Sequence, residues 1–120
     1  MFEKKDFISH AGLFLRWKID CDTLTKEDYE CLAYIIGEKF LFSSVYGVPR
    51  GGIKFAEALK PYCSEFGPRL VVDDVLTTGT SMIEAKENEN DIGIVIFSRA
   101  GVVPYWITPI FRMESVFLEV

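Results

Sequence analysis

Apolar residues along the chain fall into short blocks separated by turn residues, and the blocks alternate between two spacings. Tyr29, Leu32, Ala33 and Ile36 recur at i, i+3, i+4 and i+7, the period of one helix face. Thr25 stands before this run as a cap, Asp28 follows three residues later to answer it, and Gly37 lies near the end. Residues 44–46 form a short strand-like block that runs into Gly47-Val48-Pro49-Arg50-Gly51-Gly52, a glycine-rich turn. Residues 53–62 place Phe55, Ala56 and Leu59 on one side and predict a second helix.

Beyond Pro68 the spacing changes. Residues 69–72 make a β-branched, apolar run of the kind found in parallel strands buried on both faces. A polar turn at 76–80 and a helix from 81 to 86 follow, then an acidic loop at 87–91 expected to be solvated. Residues 92–97 repeat the buried-strand pattern and end in Ser98-Arg99-Ala100-Gly101. Residues 105–110 and 116–120 read as edge strands, whereas residues 1–24 mix aromatics, charges and glycine with no clear period. Strand, turn and helix, repeated three times, predict an α/β domain with a mostly parallel sheet. A length of 120 residues fits one such domain. Ligands of such sheets sit beyond the carboxyl ends of the strands, so the turns at 47–52, 73–80 and 98–101 should share one rim.

The chemistry concentrates in the second of these turns. Arg69-Leu70-Val71-Val72-Asp73-Asp74-Val75-Leu76-Thr77-Thr78-Gly79-Thr80-Ser81 is an apolar strand, two acids, then a hydroxyl-rich turn opening a helix. Adjacent carboxylates at a strand end are costly to bury without a partner. Ribose hydroxyls, or a magnesium ion beside a diphosphate, would supply one. Thr77, Thr78, Thr80 and Ser81 offer hydroxyls, Gly79 lets the backbone close around a phosphate, and a helix N-terminus favours an anion. Taken singly, each of these residues is ordinary in a capped turn; the ordered set is what carries the signal.

That set resembles the phosphoribosyl pyrophosphate signature of type I phosphoribosyltransferases, and most closely the orotate phosphoribosyltransferase-like members. The resemblance implies a compact, Rossmann-like phosphoribosyltransferase fold. It implies that Asp73 and Asp74 approach the ribose hydroxyls and, through water, a Mg2+ ion. It implies also that Thr77, Thr78, Gly79, Thr80 and Ser81 hold the 5′-phosphate. Val45-Tyr46-Gly47-Val48-Pro49-Arg50-Gly51-Gly52-Ile53 resembles the family's pyrophosphate loop, with Pro49, Arg50, Gly51 and Gly52 as the binding residues. Arg50 can grip phosphate oxygens bidentately. A nucleotide-triphosphate P-loop is excluded there, because Ile53 stands where the motif needs lysine.

Phe7–Cys21, with Phe14, Arg16, Trp17 and Lys18, resembles the hood that orotate enzymes fold over the base, and a surface flap packing its aromatics on the domain explains it equally. Arg99 stands where those enzymes place an arginine against the base. One departure matters. Family enzymes insert a hairpin with a flexible catalytic loop before the signature strand, and here only residues 63–68 separate Tyr62 from Arg69. No lysine maps onto that loop, which leaves Arg50, a magnesium ion and Lys18, Arg16 or Lys54 to neutralise a leaving pyrophosphate. The Arg-Gly-Gly of the first loop is more like purine or xanthine enzymes, so the acceptor base is open.

The remaining composition narrows the class without adding chemistry. A hydrophobic share of 49% supplies a real core, and a net charge of −5 with no basic face argues against a nucleic-acid or membrane binder. Cys21, Cys31 and Cys63 are scattered and odd in number, which fits reduced thiols in a cytoplasmic protein. His10 is the only histidine, so a structural zinc site is not expected. The expected activity is transfer of ribose 5-phosphate from phosphoribosyl pyrophosphate to a nucleobase, orotate or related, by a magnesium-dependent homodimer. The alternatives are a regulatory protein that binds the same ligand, or a nucleotide, without turnover, and an interaction domain presenting Phe14, Trp17, Tyr105 and Trp106.

Overall fold

A computed structural model describes residues 24–112; the proposed hood before Leu24, with Phe14, Arg16, Trp17 and Lys18, and the expected strand at 116–120 lie outside the described residues. Helix α1 spans Lys26–Lys39 and begins in a complete capping box. Asp28 N–H donates to Thr25 Oγ1 at 3.1 Å, and Thr25 N–H donates to Asp28 Oδ2 at 2.8 Å. The helix passes through Gly37 and closes where Phe40 N–H meets Ile36 O at 2.9 Å. Strand β1 is Ser44–Gly47 and helix α2 is Ile53–Leu59, followed by a 3-10 turn at Lys60–Tyr62. The expected helix to 62 tightens there because Pro61 has no N–H to continue the α-helical ladder. Strand β2 is Arg69–Leu76, helix α3 Thr80–Ala85, strand β3 Ile92–Ser98 and strand β4 Ile107–Arg112.

The four strands lie in the order β1-β2-β3-β4, all parallel. Strands β2 and β3 are interior, which explains their continuous apolar runs. Leu70, Val72, Ile94 and Ile96 pack with Leu32, Phe55 and Leu59 of α1 and α2. Val71, Val95 and Ile107 pack with Met82 of α3 on the other face. Phe42, Phe55 and Phe97 are fully buried among them. Both crossovers, β1 to β2 and β2 to β3, step the same way across the sheet, yet α2 and α3 cover opposite faces. The two connections are therefore of opposite hand, and one runs against the usual right-handed rule. No hairpin intervenes between the 3-10 turn and β2, so β1 lies at a sheet edge among the described residues.

Three expectations need correction. Strand β2 continues past the acids, because Asp73, Val75 and Leu76 still pair with Val95, Phe97 and Ser98 of the long β3. The third unit has no helix: residues 99–106 cross directly to β4, which starts at Ile107 and not at 105. Trp106 is half-buried against Gly93 and beneath Lys86, while Tyr105 remains 92% exposed. Asp91 is not solvated either. It is 2% exposed and accepts from Arg69 Nη1 at 2.9 Å, from the N–H groups of Glu87 and Asn88, and from the Asn88 side chain.

Candidate functional site

Parallel pairing puts the carboxyl ends of β1, β2 and β3 on one edge, and the three expected turns meet there. Backbone bonds tie them together. Val48 N–H donates to Val72 O at 2.8 Å, joining the first turn to β2. Arg99 N–H donates to Leu76 O at 2.9 Å, joining the third turn to the second. Arg99 thus stands at the rim, half-buried, beside the end of the signature strand.

Asp73 and Asp74 project in different directions from β2. Asp73, 9% exposed, borders a small cup of about 40 Å³ formed with residues 75–82. Asp74 is half-buried and its carboxylate abuts Gly51 of the first turn. Each acid is fixed by a backbone donor: Asp74 N–H reaches Asp73 Oδ1 at 2.8 Å, and Val75 N–H reaches Asp74 Oδ1 at 2.7 Å. Burial, then the neighbouring Asp74 carboxyl, raises the Asp73 pKa to about 7, against the pull of the Asp74 N–H. A carboxyl that shares or holds a proton near neutrality can both donate to and accept from a hydroxyl-bearing ligand.

The cup is the hydroxyl-rich turn. Gly79 sits at φ +87°, in the left-handed region that a glycine enters without penalty, and this turns the chain into α3. Thr78 Oγ1 lies 3.1 Å from Thr80 Oγ1, and Thr80 N–H points to Thr78 Oγ1 at 3.4 Å. Thr77, Thr78, Thr80 and Ser81 are exposed around the buried Gly79. Because α3 has only 6 residues, its dipole is weaker than that of a full helix, and the hydroxyls supply most of the local polarity.

In the first turn Pro49 and Arg50 are exposed, Gly52 is buried, and the Pro49–Arg50 peptide is cis. Gly52 N–H donates to Val48 O at 2.8 Å, so the turn curls back on itself. Lys54, in the first turn of α2 just after Gly52, lines a groove of about 630 Å³ between α1 and α2. Among the described residues no three His, Cys, Asp or Glu side chains gather into a metal cluster. Asp73 and Asp74 are thus at most two carboxylate ligands. A cation held there would need other oxygens to complete its shell.

No protein-family profile matches the chain, and no curated protein matches its sequence. Among solved structures, the orotate phosphoribosyltransferase from Aeropyrum pernix is similar, with a TM-score of 0.56 at 19% identity over 79% of this chain and 76% of that one. The fold is phosphoribosyltransferase-like: a compact α/β unit with an all-parallel sheet and flanking helices. No helix among the described residues is long and apolar enough to cross a membrane.

The sequence placed the turns on one rim but did not show which side chains join them. The contact of Asp74 with Gly51 joins positions far apart in the chain, and the only local hint was the consecutive pair Gly51-Gly52.

Proposed function

We propose that the chain is a phosphoribosyltransferase, binding phosphoribosyl pyrophosphate across its rim and passing ribose 5-phosphate to a nucleobase, orotate or a related one. The observation that supports this reading is that the hydroxyl-rich turn borders Asp73 while the glycine-rich turn at 47–52 meets its neighbour Asp74. Thr77, Thr78, Gly79, Thr80 and Ser81 take the 5′-phosphate in the cup. Asp73 and Asp74 take the ribose hydroxyls. Pro49, Arg50, Gly51 and Gly52 take the pyrophosphate, and Arg99 borders the place left for the base. In the transfer the bond from C1 of ribose to pyrophosphate oxygen breaks and a bond to a base nitrogen forms. A bound magnesium ion would neutralise the pyrophosphate, held by its oxygens and by Asp73 and Asp74 through water. The fold likeness supports a small-molecule substrate, and a homodimer forms part of the reading, to be checked by sedimentation. Incubation with phosphoribosyl pyrophosphate, magnesium and a panel of bases tests it: pyrophosphate release with one base is expected, and none with any base contradicts transfer.

A second reading has its own observation. The six residues between the 3-10 turn and β2, 63–68, hold no hairpin and no covering loop. This favours a protein that binds the phosphoribosyl ligand and senses it without turnover. Saturable binding by calorimetry in the absence of pyrophosphate release is its signature.

A further inference from the structure

We infer that Asp74 is a positioning residue for the turn at 47–52, its carboxylate being the surface against which Arg50-Gly51 is shaped. This deepens the pyrophosphate-loop reading and rests on it. The two ends of the turn are held by backbone bonds, Val48 N–H to Val72 O at 2.8 Å and Ile53 N–H to Arg50 O at 3.2 Å. The middle meets a side chain instead. A methyl group on Gly51 would fall on Cγ, Oδ1 and Oδ2 of Asp74 together. That carboxylate cannot easily retreat, because Oδ1 holds the Val75 N–H at 2.7 Å. The backbone beneath it belongs to an interior strand, with Asp73 and Val75 paired to Val95 and Phe97. Gly52 N–H is already turned to Val48 O at 2.8 Å, so the one fixed acid on the central sheet sets the position of Gly51 and the direction of its amide.

Shape and charge make opposite demands here, which makes them separable. Through space, a carboxylate beside an anion site lowers anion affinity. As a support it raises affinity by keeping the Gly51 amide in place. Removing it should strengthen binding if only charge counts and weaken binding if position counts.

The probe is inorganic pyrophosphate, titrated into the full chain without divalent cations and followed through the Gly51 and Gly52 amide resonances. With neither metal nor ribose present, Asp74 cannot act as their ligand. Asp74→Ala is expected to weaken binding by about fivefold or more despite the lost negative charge, equivalent to roughly 1 kcal/mol. Asp74→Asn, which keeps the shape, is expected to bind at least as tightly as the parent. Gly51→Ala is expected to lose affinity, and combining it with Asp74→Ala to recover part of the loss, since the added methyl enters the vacated space. If Asp74→Ala does not fold, the Asp74→Asn and Gly51→Ala results decide alone. Tighter binding by Asp74→Ala, weaker binding by Asp74→Asn, or undiminished binding by Gly51→Ala overturns the inference and leaves the loop reading intact. No binding of pyrophosphate to the parent overturns the loop reading, and this inference with it.

Discussion

The Arg69 guanidinium lies 2.9 Å from the Asp91 carboxylate and closes the end of the sheet opposite the rim. Arg69 also donates to Ala85 O at 3.1 Å and lies 5.1 Å from the Tyr46 ring centre, so it ties β1, α3 and the 86–91 loop to the start of β2. The rim loops are positioned by strands whose other ends this cluster fixes.

Truncating Asp91 should therefore be costly. Asp91→Ala is expected to lower stability by about 2 kcal/mol, because it strips a charge-assisted bond from Arg69, which keeps its bond to Ala85 O, and leaves the Glu87 and Asn88 N–H groups without their acceptor. Burial alone would raise the Asp91 pKa, but the Glu87 and Asn88 donors and Arg69 outweigh it and the net direction is down. An acid with a depressed folded pKa stabilises above its unfolded value near 4, and that contribution is lost as pH falls below it. Urea unfolding of the parent between pH 5 and 2 should show this loss, and Asp91→Ala should show less of it.

Asp73 works in the opposite sense. Its pKa, raised by burial to about 7, means the folded chain keeps a proton that the unfolded chain has released. Stability should fall as pH rises from about 4 to about 7, and stay low above that. Asp73→Asn, which mimics the protonated acid, is expected to be more stable than the parent at pH 8 by about 1–3 kcal/mol, and nearly equal to it at pH 4. Denaturant midpoints at the two pH values check both the sign and the window.

Gly79 is strained for any side chain by its φ of +87°, although the space beside it is open, with no atom nearer than 3.7 Å to an added Cβ. The cost of Gly79→Val should then be a backbone cost, about 1–3 kcal/mol, with Gly79→Asn milder because asparagine tolerates the left-handed region. Thermal unfolding of the two variants ranks them; equal losses would point to packing and not to backbone conformation.

What the sequence disclosed tracks how local each feature is. The α1 capping box was readable because Thr25 and Asp28 are three residues apart and answer each other directly. The glycine and threonine turns were readable because their chemistry is written in consecutive positions. Asp91 looked like a solvated acid because its cation stands 22 residues earlier. Strand β2 looked shorter than it is because pairing with β3 overrides the polarity of Asp73 and Asp74. The absent third helix was misread for a different reason: residues 99–106 have turn composition, and a regular alternation was extended one unit too far. Asp74 is the most instructive case, since its neighbour Asp73 faces the small cup of the hydroxyl-rich turn while Asp74 itself leans on a glycine of another loop.

The central claim is that the cup and the acid pair bind a phosphoribosyl ligand. Calorimetric titration of the parent and of Thr78→Val with phosphoribosyl pyrophosphate in magnesium tests it most directly. One saturable site per chain is predicted, weakened about tenfold in Thr78→Val, the loss of one hydroxyl bond to a charged phosphate and of its link to Thr80. Absence of binding by the parent, or equal affinity in the two proteins, would contradict the account.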